Sequence, residues 1–370
     1  MLMRALVMAL LVAALPVPAG AREDAPAKSK RLVTVMTRNV YHGVNAELNA
    51  VAAGGPANLL NNVAAVFMGY HERDFPERAA ALAAEIEATR PELVGLQEAI
   101  LVRTQSPPDG PTTPASAVAL DYVQILLDAL AARGLAYERV GTSNGWDPEL
   151  PSALGFDVRQ TGREVILARA DLKKADLKLS NVQTGTFATN CVIPSTIGPI
   201  TILRGWVSVD VKIRGKKFRF LSTHLDGDCL SVTSAIQEAQ AAELLAGPLA
   251  TELPVVLVGD FNSPTDGTGP TYNTLIGSGF VDPWILAGPG PGFTCCQAPD
   301  LLNADSSLGR RIDLVLYRGG FGVVAVDIVG EDPDDQTLSG LWPSDHAGVV
   351  ATLQLPGGHR GRDDDRDDDD

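Results

Sequence analysis

Val255-Val256-Leu257-Val258, directly after Pro254, reads as a buried strand, and the rest of the chain has to supply the layers that bury it. Gly259 loosens the backbone, Asp260 and Asn262 project from the strand end on one face, and Pro264 forbids continuation. A carboxylate and a carboxamide two residues apart suit a site that holds a water or a metal ion against a phosphate. The acid serves as base or orienting group and the amide as neutral donor and acceptor. That reading gains weight if other strands end in the same way.

They do. Leu32 to Val40 is an apolar strand carrying Thr37-Arg38-Asn39 at its end. A Gly/Asn/Ala-rich connection follows to about Tyr70, with a short helix around Leu59 to Phe67. Asp74 and Glu77 have capping-box spacing before a helix with Ala79, Leu82, Ala83 and Ile86 on one face, ended by Arg90-Pro91. Glu92 to Gln97 is a short buried strand that delivers Gln97 and Glu98. Ser106 to Pro114 is a Pro-rich loop and Ala117 to Arg133 a helix. Arg163 to Arg169, Ala175 to Gln183, Ile200 to Ile213 and Lys217 to Leu225 have the alternating pattern of an antiparallel meander, the last ending in Thr223-His224. Gln237 to Leu249 is helical and feeds the Asp260 strand.

Downstream, Tyr272 to Ile276 is a helical turn, and Phe280 to Asp300 is a Gly/Pro-rich loop in which Trp284 reads as core. Arg311 to Tyr317 and Phe321 to Val329 are strands, and Gly348 to Leu355 closes the chain. Asp313 lies among apolar residues, where an unpaired carboxylate is costly. His346 in Ser344-Asp345-His346 is its natural partner, because a histidine beside a buried acid is oriented and kept cationic.

The termini are of another character. Met1–Ala21 has a positive start, an apolar run of leader length and an Ala-Gly-Ala cleavage pattern, so it reads as a signal peptide and the mature protein as secreted or periplasmic. Residues 22–31 form a charged linker, 32–356 a single catalytic-size domain without internal linker or repeat, and 357–370 a solvated acidic tail. With 45 acidic against 30 basic side chains the chain is strongly acidic, which argues against broad electrostatic capture of nucleic acid. Cys191, Cys229, Cys295 and Cys296 in an exported chain favour disulfides, with each of the adjacent pair bonded to a distant partner. Their spacing does not resemble a zinc site.

Taken in order, Thr37-Arg38-Asn39, Leu96-Gln97-Glu98, Thr223-His224-Leu225, Gly259-Asp260-Phe261-Asn262, Arg311-Ile312-Asp313 and Ser344-Asp345-His346 resemble the motif series of the endonuclease/exonuclease/phosphatase superfamily. The resemblance runs from Leu32 to about Leu355. It implies a four-layer α/β sandwich, two central mostly antiparallel sheets flanked by helices, with the site where strand ends of both halves meet. It further implies Glu98 as the main metal ligand, with Asn39 beside it and Asp345 completing the metal-side acids. Asp260 and Asn262 would orient the attacking water, and His346, paired to Asp313, would contact the scissile phosphate. His224 matches a second histidine of the deoxyribonuclease and sphingomyelinase branches, a candidate general acid. Glu164 departs from the pattern, standing where many members carry Asn.

The chemistry is consistent without the family name. A phosphodiester is already anionic, so water attack needs charge neutralisation, and the oxygen set of Glu98, Asp345 and Asn39 suits a hard ion such as Mg²⁺, with Mn²⁺ or Ca²⁺ as substitutes. The expected activity is metal-dependent hydrolysis by a monomer, with nucleic acid as first substrate. The alternatives are a sphingomyelinase or phospholipase C-like activity on phospholipid and, in a different class, a non-catalytic binding module on the same fold.

Overall fold

The run Val255–Asp260 forms the expected strand, and its side chains alternate as a doubly buried strand requires. Val255 and Leu257 pack on one side with Leu221, Leu244, Leu275 and Leu314. Val256 and Val258 pack on the other with Val33, Val35, Leu93 and Ile166. The computed structural model describes residues 31–357 except 196–197, 228 and 230–231. The leader, all of the linker but Arg31, and the tail beyond Gly357 lie outside the described residues.

Two sheets build the centre. The first runs, edge to edge, Gly322–Val329, Gly348–Gln354, Leu32–Asn39, Leu93–Gln97, Arg163–Arg169 and Tyr137–Asn144. The second runs Asp313–Arg318, Val255–Asp260, Lys216–His224, Gly205–Ile213 and Leu177–Thr186. Val33, Val35 and Ile166 of the first face Val207, Val209, Phe218 and Val256 of the second, which makes the inter-sheet core. Met36, Val94, Leu96 and Val165 point the other way, into a layer built by the helices Leu59–Glu72, Phe75–Thr89 and Tyr122–Ala132. The outer face of the second sheet is covered by Thr233–Ala246 and Pro270–Gly277. Helix, sheet, sheet, helix is the four-layer α/β arrangement expected. A smaller four-stranded sheet, holding Leu101–Gln105 and Asp157–Thr161, flanks it.

Within the two central sheets, pairing among the described residues is antiparallel save for two parallel pairs, and those two set the site. One puts Asn39 beside Gln97; the other puts His224 beside Asp260. On its far side Asp260 stands opposite Asp313 in an antiparallel pair. Gly95 lets the sheets approach just below these ends: a Cβ there would meet Ser222 Oγ and Val258 Cγ2, each at 2.6 Å. Across that gap Gln97 Nε2 donates to Ser222 Oγ at 3.0 Å.

Several local expectations are corrected. Only Tyr122–Ala132 of the 117–133 segment is helical, because the Asp121 side chain accepts from the Val123 and Gln124 N–H groups and starts the helix there. Ala117–Asp121 instead pairs as a strand with Leu101–Gln105. The connection before Tyr70 contains two helices, Asn45–Ala53 and Leu59–Glu72. Arg163–Arg169 leaves the meander and joins the first sheet. The capping box at Asp74 closes by half: Asp74 accepts from Glu77 N–H, while the Glu77 carboxylate accepts from Ser339. Cys191 bonds Cys229, with Cα atoms 5.4 Å apart, and Cys295 bonds Cys296, so the adjacent pair finds each other rather than distant partners. Once Cys191 and Cys229 are joined, no third thiol is left for either. Among the described residues no helix is long and apolar enough to cross a membrane.

Candidate active site

The strand ends bring Asn39, Glu98, Asp260 and Asn262 together. Asn39 is fully buried and turns its amide nitrogen to two acids, donating to Glu98 Oε1 at 3.2 Å and Asp260 Oδ2 at 3.1 Å. Its Oδ1 accepts from Tyr41 N–H at 3.0 Å, so the amide holds the acids in place instead of offering them an oxygen. Asp260 Oδ1 accepts from the Asn262 N–H at 2.9 Å. Glu98 (φ 58°) and Asn262 (φ 50°) both lie in the left-handed region, which asparagine tolerates and glutamate rarely adopts. Behind Glu98, the Arg163 guanidinium braces the turn by donating to the carbonyls of Ala99 at 2.6 Å and Ile100 at 2.8 Å.

The two histidines are held in opposite states. His346 Nδ1 lies 2.7 Å from Asp313 Oδ2, and suitable atoms of Asp260, Asp313 and His346 all fall within 4.8 Å of one another. Burial alone would lower the His346 pKa, but Asp313, Asp345 and Asp260 hold it well above its ordinary value, so the ring is cationic at neutral pH. Burial and the Arg204 guanidinium, whose Nη1 is 3.0 Å from Nδ1, push His224 well below its ordinary value. His224 is therefore neutral, with Nε2 3.4 Å from Asp260 Oδ2 and 3.1 Å from Asn262 Nδ2. A neutral imidazole beside an arginine is a weak proton donor, which counts against the general-acid role expected of it. Asp260 itself is pushed up to about 7 by burial and by Asp313 opposite.

The metal-side acids fit a hard divalent cation. Asp345 Oδ1 is buried with no hydrogen-bond partner among the described residues, with His346 Nε2 3.9 Å away, and a divalent cation would satisfy it. Burial would raise Glu98, but His42, which also donates its backbone N–H to Oε2 at 3.0 Å, keeps it well below the usual carboxylate range. Burial, opposed by His346 and reinforced by Glu98, pushes Asp345 up to about 7. The sign for metal binding follows: below about pH 7 a proton occupies Asp345 and must leave before a cation binds. Mg²⁺ affinity should thus fall by about tenfold per unit as pH drops below 7. Calorimetric titration at pH 6, 7 and 8 checks this, and an affinity flat across that range would remove Asp345 from the ligand set.

Four residues near the chemistry were not singled out by motif. Glu164, set aside as a departure, is buried with Oε1 3.7 Å from His224 Nδ1, so it forms a second acid–histidine neighbourhood. Its signal was strand parity: on Arg163–Arg169 it shares a face with Ile166, which packs into the inter-sheet core. Arg204 and His42 sit in loops, where no periodicity marks them. Trp146 lines a cleft of about 360 Å³ together with Glu98, Glu164 and Arg204.

Residues 39–346 match the model of the Endonuclease/Exonuclease/phosphatase family. A comparison with curated proteins gives no match. Among solved structures, a protein of that family from Leptotrichia buccalis aligns with a TM-score of 0.55 at 16% identity, over 87% of this chain and 100% of that one. A mannosyl-6-phosphatase from Bacteroides thetaiotaomicron aligns with a TM-score of 0.55 at 15% identity, over 87% and 99%. A humanized D. rerio TDP2 aligns with a TM-score of 0.51 at 17% identity, again over 87% and 99%. At such identities the likeness is one of fold.

Proposed function

The chain belongs to the endonuclease/exonuclease/phosphatase family, whose members generally hydrolyse phosphoester bonds, and from that premise we propose that it is a divalent-metal-dependent phosphodiesterase using direct attack by water. The observation that carries the reading is the placement of His346 Nδ1, 2.7 Å from Asp313 Oδ2 and 3.8 Å from Asp260 Oδ2, which favours a cationic ring beside an acid pushed up to about 7. A general base works best with a pKa near the working pH, and an imidazolium near the phosphate stabilises the charge that develops there.

Glu98 and Asp345 would hold the metal, Mg²⁺ first, and a bound ion supplies charge neutralisation at the phosphate. Asn39 keeps Glu98 and Asp260 in register. Asp260 takes the proton of the attacking water as its oxygen bonds phosphorus, and Asn262 fixes Asp260 through its N–H. His346 faces the phosphate, held cationic by Asp313, and gives a proton to the ester oxygen as the P–O bond breaks. His224, neutral, completes the contacts around Asp260.

A nuclease is the first substrate reading, and the second histidine, His224, is common to it and to the phospholipid reading. The phospholipid reading is supported by the apolar part of the cleft wall: Leu48, Ile100, Trp146, Ile200 and Ile202. The leader sequence and the Cys191–Cys229 bond support export. Plasmid DNA and sphingomyelin vesicles should be incubated in parallel with Mg²⁺, with EDTA, and with Mg²⁺ restored in excess. Hydrolysis of one of them is expected with Mg²⁺, loss with EDTA and recovery afterwards. If no phosphoester is cleaved with Mg²⁺, Mn²⁺ or Ca²⁺, the non-catalytic reading wins.

A further inference from the structure

The cleft does not end at its acids. Beyond Trp146 it adjoins a second cavity of about 200 Å³, which shares Leu48, Trp146, Gln160 and Ile200 with it. The floor of this cavity is aliphatic: Val51, Val63, Val66, Leu150 and Val158. Among the described residues no charged side chain lines it, and Gln160 Oε1 already accepts from the Tyr70 hydroxyl.

The cavity is open on one side, and concave apolar pockets of this kind are where ligands bury their apolar groups. An apolar cavity of this size beside a catalytic cleft is a binding feature, and its neck is built to persist. Gly145 N–H donates to the Gly162 carbonyl at 2.9 Å and Gly162 N–H to the Trp146 carbonyl at 2.7 Å. Gly162 stands two residues before Glu164, so the strand that brings Glu164 to the cleft also fixes the neck.

We propose that this cavity is a substrate subsite for an apolar substituent of the scissile phosphate, about the size of one phenyl ring or an alkyl segment of that bulk. The inference rests on the phosphodiesterase reading and narrows its substrate class. A nucleobase fits the floor poorly, because its ring edge carries several donors and acceptors that Val51, Val63, Val66, Leu150 and Val158 leave unpaired. An aryl or alkyl group has nothing to leave unpaired and gains from leaving water.

The test compares two small phosphates with one head group, methyl phosphate and benzyl phosphate, by calorimetric titration of the full chain with Mg²⁺ present. Benzyl phosphate is expected to bind about tenfold or more tightly than methyl phosphate, from burial of its ring. Val66→Phe and Leu150→Trp each fill the cavity from residues that do not line the cleft, and each should bring the ratio close to one with methyl phosphate affinity unchanged. Leu150 is half-buried on the strand Glu149–Pro151, so its replacement keeps the test open if Val66→Phe fails to fold. Equal affinities in the unmodified protein would overturn the subsite, as would a ratio that survives Leu150→Trp. Failure of methyl phosphate itself to bind would instead overturn the phosphodiesterase reading on which the subsite depends.

Discussion

Replacing His346 with alanine is expected to lower kcat by on the order of 10³-fold while leaving the protein folded. The ring is the histidine of the site that is held cationic, and its charge has a local source: Asp313 Oδ2 at 2.7 Å, with Asp345 and Asp260 behind it. The backbone around it is anchored independently, since Ser344 Oγ accepts from the His346 N–H at 3.3 Å and Arg38 donates to the His346 carbonyl. Asp313→Asn separates charge from geometry. His346 acts as the cation, a state lost as pH rises through its raised folded-state pKa. Removing the Asp313 charge lowers that pKa, so the alkaline limb of the rate profile should move to lower pH. Circular dichroism and thermal unfolding confirm the fold. His346→Ala protein retaining more than about a tenth of wild-type turnover would sink the assignment, and an unmoved alkaline limb in Asp313→Asn would sink the role given to Asp313.

Much of this site was legible because the fold delivers chemistry at strand ends, and strand ends are marked in sequence. Asn39, Glu98, His224 and Asp260 each close a short apolar run, and the parallel and antiparallel registers carry those ends to one place. Asp313 was legible as a carboxylate too expensive to bury alone. Residues whose roles come from register across sheets were harder. Glu164 belongs to an apolar strand whose partner in space, His224, is 60 positions away and in the other sheet, so only parity hinted at it. Trp146 lines the cleft from a loop, where no period exists. The 117–133 segment misled for a local reason: its apolar spacing is helical throughout, yet Asp121 is a better helix start than any residue before it. The adjacent cysteines were judged by the strain of joining them, but where they find partners depends on which other thiols are already taken.

The hardest residue to read from sequence was Arg78, and its replacement by methionine is expected to cost at least about 3 kcal/mol of stability and about 10²-fold in turnover. On the helix Phe75–Thr89 it falls among charged neighbours and looks like a solvated side chain, yet it is completely buried. Its guanidinium donates to four backbone carbonyls: Arg73 at 2.7 Å, Val40 and Pro343 at 2.9 Å each, and Tyr41 at 3.0 Å. Val40 and Tyr41 follow Asn39 directly, and Pro343 leads into Ser344-Asp345-His346. One side chain thereby ties the loop that fixes Asn39 to the loop that carries a metal-side acid and the cationic histidine. Methionine keeps much of the volume but offers no donor, so those carbonyls lose their partner, at about 1–3 kcal/mol for each that stays buried. Lysine keeps the charge and three donors without the planar fork, and should fall between the two. Urea unfolding gives the stability change, and kcat measured well below the unfolding temperature separates misplaced loops from lost protein. Arg78→Met stability within 1 kcal/mol of wild type, together with unchanged turnover, would mean that the two loops hold their geometry without the guanidinium. The site would then need another tie between Asn39 and His346, and a buried candidate is Arg38, which pairs with Glu85 at 2.8 Å and donates to the His346 carbonyl.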